Sequence, residues 1–345
     1  LFADVLRAHL LKEQPQQIPN LHLRASEWYE QNGWQRDAIR HALLAQDYDR
    51  ATDLVEMTWP PLMNGYRPAT WLGWVKELPQ ELVKNRPMLN VGCAWSFTHA
   101  GDLENAEAHL LDAERWLDTR STNSVPQSTD LKSEMIVVNT EVVENLPRTM
   151  SNLRIYIPQS KGDVATAIKN GHYALNFIPE DAHFYRGVAN LLIAFAYLTN
   201  GNLEQASEFL ADSAQNFQMA ENSFFQTLAI VISGDIDRIQ GRLNEASSKY
   251  ESALKLPISD NGFTLQEVAE LYLSLSELCR ERNNLQAAVE YLQQGQARLH
   301  KQALLPGREA RWYATMARTK VAEGELNSAL ELLNEAEQVY KPDTF

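Results

Sequence analysis

The chain has 345 residues, 44% of them hydrophobic, so it is long enough to bury a sizeable core or several smaller ones. Its 45 acidic and 31 basic residues give a formal charge of -14 with no cluster of Lys and Arg, which argues against direct binding of nucleic acid phosphates. No apolar run approaches the roughly 20 residues of a membrane span, and Ala, Leu, Glu and Gln outnumber strand-forming residues. We predict an all-α, cytoplasmic protein in which Cys93 and Cys279 are reduced structural thiols.

The front of the chain is rich in aromatic residues and alanines at helical spacing. Its first sixty residues include "LFADVLRAHL" and "LHLRASEWYEQNGWQRDAIRHALLAQDYDRATDLVE", and "WLGWVKELPQELVKNRPMLNVGCAWSFTHAGDLENAEAHL" follows. Both segments resemble the helical arm that follows the winged-helix subdomain in the MalT-like family of large ATP-dependent, LuxR-type transcriptional regulators. The resemblance implies an arm over residues 1–118 and a superhelical sensor domain over residues 119–345. We expect six aromatic residues to be packing residues of the arm: Trp28, Tyr29, Trp34, Trp59, Trp71 and Trp74.

A turn followed by a helical stripe occurs six times, and we conclude that the first sixty residues lie outside this repeat. The copies are "GDLENAEAHLLDA", "GDVATAIKNGHYA", "GNLEQASEFLADS", "GRLNEASSKYESA", "NNLQAAVEYLQQG" and "GELNSALELLNEA". Three residues after the first apolar residue, every copy has an alanine: Ala106, Ala167, Ala206, Ala246, Ala288 and Ala329. Seven residues after it the side chain is bulky, except at Gly171, and ten residues after it is always small.

These offsets trace one face of a helix, and small residues on that face let a second helix approach closely. The second helix precedes each turn, with a small residue nine positions before the first apolar residue in every copy except the second, which has Ile155. We therefore predict helix hairpins whose turns use Gly or Asn, with Asp102, Asp163, Asn202 and Asn284 as helix caps. Such hairpins stack, and the spacing resembles tetratricopeptide repeats lengthened from about 34 residues, which implies a right-handed superhelix.

In such a stack the first helix of each hairpin faces inward. Counting back eight and five residues from the first apolar residue predicts an inner surface that changes from aromatic to charged side chains. The predicted effector-binding residues are Trp95, Tyr156, Phe195, Asp235, Arg238, Glu277 and Arg280. Aromatic rings suit a sugar or apolar face, and arginines suit an anionic end. The alternative interpretation is that Asp235 with Arg238, and Glu277 with Arg280, neutralise each other as i,i+3 pairs, and that the aromatic rings pack against neighbours.

No catalytic or metal site is predicted. None of the eight histidines lies in H-E-x-x-H or pairs with a cysteine at ligand spacing, and His41 in "AIRHALL" is expected to pack or to face solvent. No phosphate loop of the form G-x-x-x-x-G-K-[ST] occurs. By the resemblance, we interpret the chain as the middle part of a regulator, with ATP bound on a missing upstream domain and a helix-turn-helix domain downstream.

The expected partners are a small-molecule inducer and other domains or protomers of the regulator, with no contact to membrane or nucleic acid by this part. The alternative function is a tetratricopeptide scaffold that binds a peptide in the same groove. Scaffolds that grip a C-terminal carboxylate use Lys and Asn on the inner helices. The corresponding positions here include Val91, Leu191, Val231 and Leu273, so that particular clamp is not expected.

Overall fold

The computed structural model describes residues 10, 12–59, 68–121, 140–256, 264–299 and 306–340. Within these ranges the chain forms one short 3-10 helix and seventeen α-helices, and no strand, which confirms the all-α class. The α-helices in chain order are α1 Ile18–Gln31, α2 Gln35–Leu44, α3 Tyr48–Met57, α4 Pro68–Lys76, α5 Gln80–Lys84, α6 Pro87–His99, α7 Leu103–Ser121, α8 Thr140–Ser160, α9 Val164–Phe177, α10 His183–Thr199, α11 Leu203–Met219, α12 Ser223–Ile239, α13 Leu243–Leu254, α14 Thr264–Glu281, α15 Leu285–Leu299, α16 Pro306–Glu323 and α17 Leu326–Val339.

The chain divides into two compact units, Leu1–Met150 and Ser151–Phe345, and each is described by itself below. The domain boundary that the sequence suggests between residues 118 and 119 remains a prediction. No described helix is both long enough and apolar enough to cross a membrane. Cys93 and Cys279 are free thiols.

All six predicted hairpins are present, and their turns share one backbone geometry. The turn residue lies in the left-handed region, as Gly201 does with φ of 75° and Asn283 with φ of 58°. Glycine adopts this conformation without steric cost, and asparagine tolerates it better than most residues. The four predicted caps are confirmed, because each side chain accepts a hydrogen bond from a backbone N–H of the following helix: Asp102, Asp163, Asn202 and Asn284.

The predicted small residues lie where helices pack closely. All six repeat alanines are buried, and so are the six residues nine positions upstream of the first apolar residue. The bulky residues of the stripe, such as Leu110, Leu210 and Tyr250, are also buried. Leu333 differs and is 46% exposed, and it lies on α17, the last described helix, which packs against α16. The stripe therefore marks the packed face of each hairpin.

The two exceptions in the second copy have a packing explanation. Gly171 replaces a bulky residue because Ile193 of the next hairpin occupies that space, and a Cβ on Gly171 would lie 2.3 Å from Ile193 Cγ1. Ile155, where the other copies have a small residue, is fully buried. The neighbouring residues connect the two helices through a hydrogen bond of 2.7 Å from Asn170 Nδ2 to the carbonyl of Arg154. In this hairpin the first helix therefore has a large residue where the other copies have a small one, and the second helix has a small residue where they have a large one.

Two turns within the first sixty residues have the same left-handed backbone conformation as the turns of the repeat. The prediction that this segment does not follow the repeat is therefore wrong for its turns. Gly33 between α1 and α2 has φ of 75°, and Gln46 between α2 and α3 has φ of 58°. Five residues after each of these turn residues stands a fully buried alanine, Ala38 or Ala51. The similarity is hidden in the sequence because Gln46 occupies the glycine position and Trp34 occupies the first cap position.

The aromatic residues of the arm only partly follow the prediction. Trp59 and Trp71 are buried with ring centroids 4.9 Å apart, and Gly92 lets α6 approach them, since its Cβ would lie 2.6 Å from the Trp71 ring. Trp28 and Trp34 are 55% and 58% exposed, so assigning them to the packed interior is wrong. They lie around Tyr29, with centroid distances of 5.2 and 5.9 Å, rather than beneath another helix.

Enlarging a hairpin alanine is expected to strain the close crossing of helices. Ala206→Leu or Ala246→Leu should destabilise the chain by about 1 to 3 kcal/mol through overpacking, measured by urea unfolding. Ala211→Leu is the matched control for Ala206, since Ala211 is exposed on the same helix. The assigned helix register is wrong if both stripe variants unfold like the parent.

Candidate effector-binding surface

The candidate effector-binding surface is formed by the first helices of the hairpins in residues 151–345. Helix α14 packs directly against both α12 and α16, so first helices of successive hairpins are neighbours. An ion pair of 3.6 Å also joins Arg311 Nη2 on α16 to Asp235 Oδ2 on α12, two hairpins away. In a stack whose units otherwise touch only their neighbours, such a contact forms on the side toward which the stack curves. Asp235 and Arg311 therefore lie on the inner side.

The aromatic part of this surface lies at the margin of an apolar core. Tyr156 on α8 and Phe195 on α10 are half-buried, and both pack against a cluster that includes Ile155, Ala194 and Leu210. Burial raises the pKa of the Tyr156 phenol. Each ring is thus partly held by the core, as the alternative interpretation expects, and partly exposed. Trp95 lies on α6 in the other unit, with its ring 5.3 Å from that of His99.

The charged part is a network of ion pairs. Arg238 lies 3.6 Å from Asp235, and Arg280 lies 2.7 Å from Glu277, so both i,i+3 pairs of the alternative interpretation form. Each pair also has a partner on the next first helix. Arg238 Nη1 is 2.6 Å from Glu281 Oε1, and Arg318 Nη2 is 2.6 Å from Glu277 Oε1. The four predicted charged residues therefore join one network on α12 and α14, which Arg318 extends to α16.

Two carboxylates of the network, Glu277 and Asp235, are held by hydrogen bonds from neighbouring side chains. Burial raises the pKa of Glu277, but hydrogen bonds from Arg280 and Arg318 outweigh burial and hold this pKa below its ordinary value. Asp235 accepts a hydrogen bond of 2.7 Å from the hydroxyl of Tyr250, a fully buried residue of α13. The Tyr250 ring fits there because residue 234 is glycine, whose Cβ would lie 2.4 Å from Tyr250 Cε1. The inner charges are thus tied to the packed stripe of the hairpin.

The family follows from comparison with known proteins. The family model for the MalT-like TPR region matches residues 149–345. The chain belongs to this MalT-like TPR family. The matched residues contain five of the six hairpin turns, and they include every predicted site residue except Trp95. The MalT-like region is a helical repeat scaffold, in agreement with the stacked hairpins.

Curated relatives extend the MalT-like similarity beyond the matched repeats. The transcriptional regulator MalT of Yersinia pestis is 24% identical over 337 residues, which are 95% of this chain and 34% of MalT. The serine/threonine-protein kinase PknK of Mycobacterium tuberculosis is 38% identical over 96 residues, which are 28% of this chain and 9% of PknK. The chain therefore spans about a third or less of the length of these relatives.

Solved structures agree on the fold of the MalT-like chain. The quorum sensor NprR of B. thuringiensis in its apo form has a TM-score of 0.55 at 15% identity, covering 91% of this chain and 77% of NprR. The apo form of RapI has a TM-score of 0.50 at 10% identity, covering 93% of this chain and 98% of RapI. At these identities the similarity concerns the helical fold alone.

Three residues of the candidate surface were not predicted from the sequence of this MalT-like chain. Glu281, Arg311 and Glu270 join the network, with Arg311 Nη1 2.6 Å from Glu270 Oε2. Helical spacing could have found all three, because Arg311 and Glu270 each stand seven residues before an inner position, Arg318 and Glu277, and Glu281 stands four residues after Glu277. Spacing could not identify their partners, which lie on other hairpins. In the arm, His41 packs as predicted: its ring stacks on that of Tyr29 with centroids 5.3 Å apart, and its Nδ1 lies 2.8 Å from His22 Nδ1.

Asp237 on the buried side of α12 supports a pH prediction. Burial raises the pKa of its carboxyl, but Lys249 at 2.6 Å and Arg242 at 2.5 Å outweigh burial and lower that pKa overall. A lowered folded pKa stabilises the fold above the unfolded pKa of about 3.9, and the contribution disappears as pH falls through the folded value. Asp237→Asn should therefore reduce the free energy of unfolding at neutral pH, and the deficit should shrink in acid.

Urea unfolding of the parent, Asp237→Asn and Asp212→Asn at several pH values tests this expectation. Asp212 is exposed on α11 and serves as the control. A deficit of Asp237→Asn that stays constant from neutral pH down to strong acid would refute an ionic role for this carboxylate.

Proposed function

We propose that the first helices within residues 151–345 form a sensor surface for a small-molecule effector in a MalT-like transcriptional activator. The observation that carries this proposal is the change along these helices, from the half-buried rings of Tyr156 and Phe195 to the charged residues of α12, α14 and α16. Rings of this kind stack on an apolar or sugar face, and guanidinium groups bind carboxylate or phosphate. The favoured effector has one such face and a polar or anionic end.

In this proposal, effector binding promotes ATP-dependent self-association of the regulator. ATP would bind on an upstream domain, DNA would bind on a downstream domain, and this part would contact only effector and protein. Membership of the MalT-like TPR family supports this assignment, as does the similarity to MalT along 95% of the chain. The quorum sensor NprR provides support at the level of the fold alone. Trp95 remains a predicted effector residue.

The experiment compares two phenylalanines that differ in position. Candidate effectors, namely short oligosaccharides and small aromatic or anionic metabolites, are first screened by the rise in thermal midpoint of the parent chain. Isothermal titration calorimetry then measures the affinity of the parent, Phe195→Ala and Phe177→Ala for the best effector. Phe177 is the control because it is exposed on α9, the second helix of its hairpin. We expect Phe195→Ala to weaken binding about tenfold or more, and Phe177→Ala to leave it unchanged.

Arg238→Ala tests the charged part in the same titration and should weaken only effectors that carry an anionic group. The proposal is wrong if neither Phe195→Ala nor Arg238→Ala changes the affinity of an effector that stabilises the parent. The alternative is a tetratricopeptide scaffold, and it predicts a different outcome: extended peptides, rather than small molecules, would stabilise the parent and compete for the same surface.

A further inference from the structure

The charged part of the inner surface connects three hairpins. Arg238 joins α12 to α14 through Glu281, and Arg318 joins α14 to α16 through Glu277. Arg311 on α16 contacts two carboxylates, with Nη1 2.6 Å from Glu270 Oε2 on α14 and Nη2 3.6 Å from Asp235 Oδ2 on α12. With Arg280, the network contains four guanidinium groups and four carboxylates, so its formal charge is zero. We call these eight residues the inner ion network.

Arg311 differs from the other arginines of the network because it bridges helices that are two hairpins apart. Any decrease in the curvature of the stack that separates α16 from α12 must lengthen the distance from Arg311 to Asp235. The contact is also accessible, since the Arg311 side chain is 48% exposed whereas that of Asp235 is 19% exposed. Ion pairs with this exposure are weak and screened by salt, so an external anion can replace the carboxylate.

We propose that Arg311 is an ionic latch that holds the charged part of the inner surface closed, and that an anionic group on the effector opens it. A carboxylate or phosphate group on the effector would take the place of Asp235 and Glu270 on the Arg311 guanidinium. Helix α16 would then move away from α12, which changes the curvature of the stack. This latch rests on the proposed function, because it describes how the sensor surface responds to its effector. A ligand shifts such an equilibrium only through its different affinity for the two states, and an anion binds the open state better.

The test measures a distance across the latch and needs no identified effector. Spin labels are placed at Ser248→Cys on α13 and Asn334→Cys on α17, two exposed positions outside the inner ion network. Cys279 is replaced by serine in all chains, and Cys93 is buried. Pulsed electron resonance gives the label-to-label distance distribution in low salt, in sodium chloride and in inorganic phosphate at matched ionic strength. We expect the parent to shift to longer and broader distances in phosphate, and to a smaller extent in chloride.

Arg311→Gln should show the long, broad distribution already in low salt and respond little to phosphate. Asp235→Asn should show the same change, which guards against a purely local effect of the arginine substitution. Lys320→Gln is the matched control, because Lys320 lies on the same helix and its ion pairs among the described residues are with Glu323 and Glu325 of its own hairpin. Circular dichroism confirms that each variant remains helical.

An Arg311→Gln distribution identical to that of the parent overturns the latch, and so does a phosphate response no larger than that of chloride. These outcomes are independent of the effector titrations. If phosphate opens the parent but no effector binding depends on Phe195 or Arg238, the latch stands and the proposed function fails. If effector binding depends on those residues but Arg311→Gln changes no distance, the proposed function stands and the latch fails.

Discussion

Arg86→Ala should destabilise the Leu1–Met150 unit by about 3 to 5 kcal/mol, because it removes the guanidinium that pairs with the buried carboxylate of Glu56. The Arg86 side chain, directly before α6, is only 3% exposed, and Glu56 on α3 is only 2% exposed. Arg86 Nη1 lies 3.1 Å from Glu56 Oε2 and 2.6 Å from Asp53 Oδ1. Urea unfolding measures the loss, and hydrogen exchange of α3 and α6 localises it to this unit.

A double variant separates the buried charge from the shape of the site. Replacing both Arg86 and Glu56 by methionine removes the buried ion pair without leaving one charge alone, so most of the lost stability should return. Arg40→Ala is the surface control, since Arg40 forms an exposed i,i+3 pair with Asp37 and should change stability by less than about 1 kcal/mol. If Arg86→Ala and Arg40→Ala have equal effects, the ion pair with Glu56 does not stabilise this unit.

Tyr250→Ala should destabilise the Ser151–Phe345 unit by about 3 to 5 kcal/mol, the range for truncating a buried aromatic residue. Tyr250 is fully buried, and its ring packs on Gly234 of the preceding helix. Truncation leaves a cavity between α12 and α13, and it also removes the hydroxyl that donates to Asp235. Urea unfolding with hydrogen exchange of α12 and α13 measures the effect.

Tyr250→Phe isolates the hydroxyl from the ring. Tyr250→Phe should lower the free energy of unfolding by about 0.5 to 1.5 kcal/mol, the net value of one neutral hydrogen bond. The loss should lie at or above the upper end of this range, because the acceptor is a carboxylate. Tyr173→Ala is the exposed control on α9, where the side chain is 72% exposed. The packing account fails if Tyr250→Ala costs no more than Tyr250→Phe.

The hairpins could be predicted from the sequence because the signal for each is local. A turn residue followed by small and bulky side chains at helical offsets determines which face of the helix is packed, and the six alanines confirm that face. The second copy breaks this pattern with Ile155 and Gly171, and the reason lies in a neighbouring repeat. Ile193 belongs to the next hairpin, and no spacing within one repeat indicates how deeply it inserts.

The contacts between repeats could not be predicted in the same way. Arg238 was correctly placed on an inner helix, but its partner Glu281 lies 43 residues away, at a register set by how two hairpins stack. The exposure of Trp28 and Trp34 could not be predicted either. Large aromatic residues are usually packed, but these two lie at an edge of the arm where no other described helix covers them. The order of aromatic and charged residues along the first helices was thus predictable, whereas the ion pairs across hairpins were not.

Hydrogen–deuterium exchange with and without the effector selected by thermal screening tests the sensor surface most directly. The account predicts that effector slows exchange in α10, α12 and α14, the first helices that carry Phe195, Asp235, Arg238, Glu277 and Arg280. The second helices α11, α13 and α15 should change less, and Phe195→Ala should lose the protection at matched effector concentration. Protection confined to the second helices or to α1–α5, and retained in Phe195→Ala, would contradict the account and place the effector elsewhere.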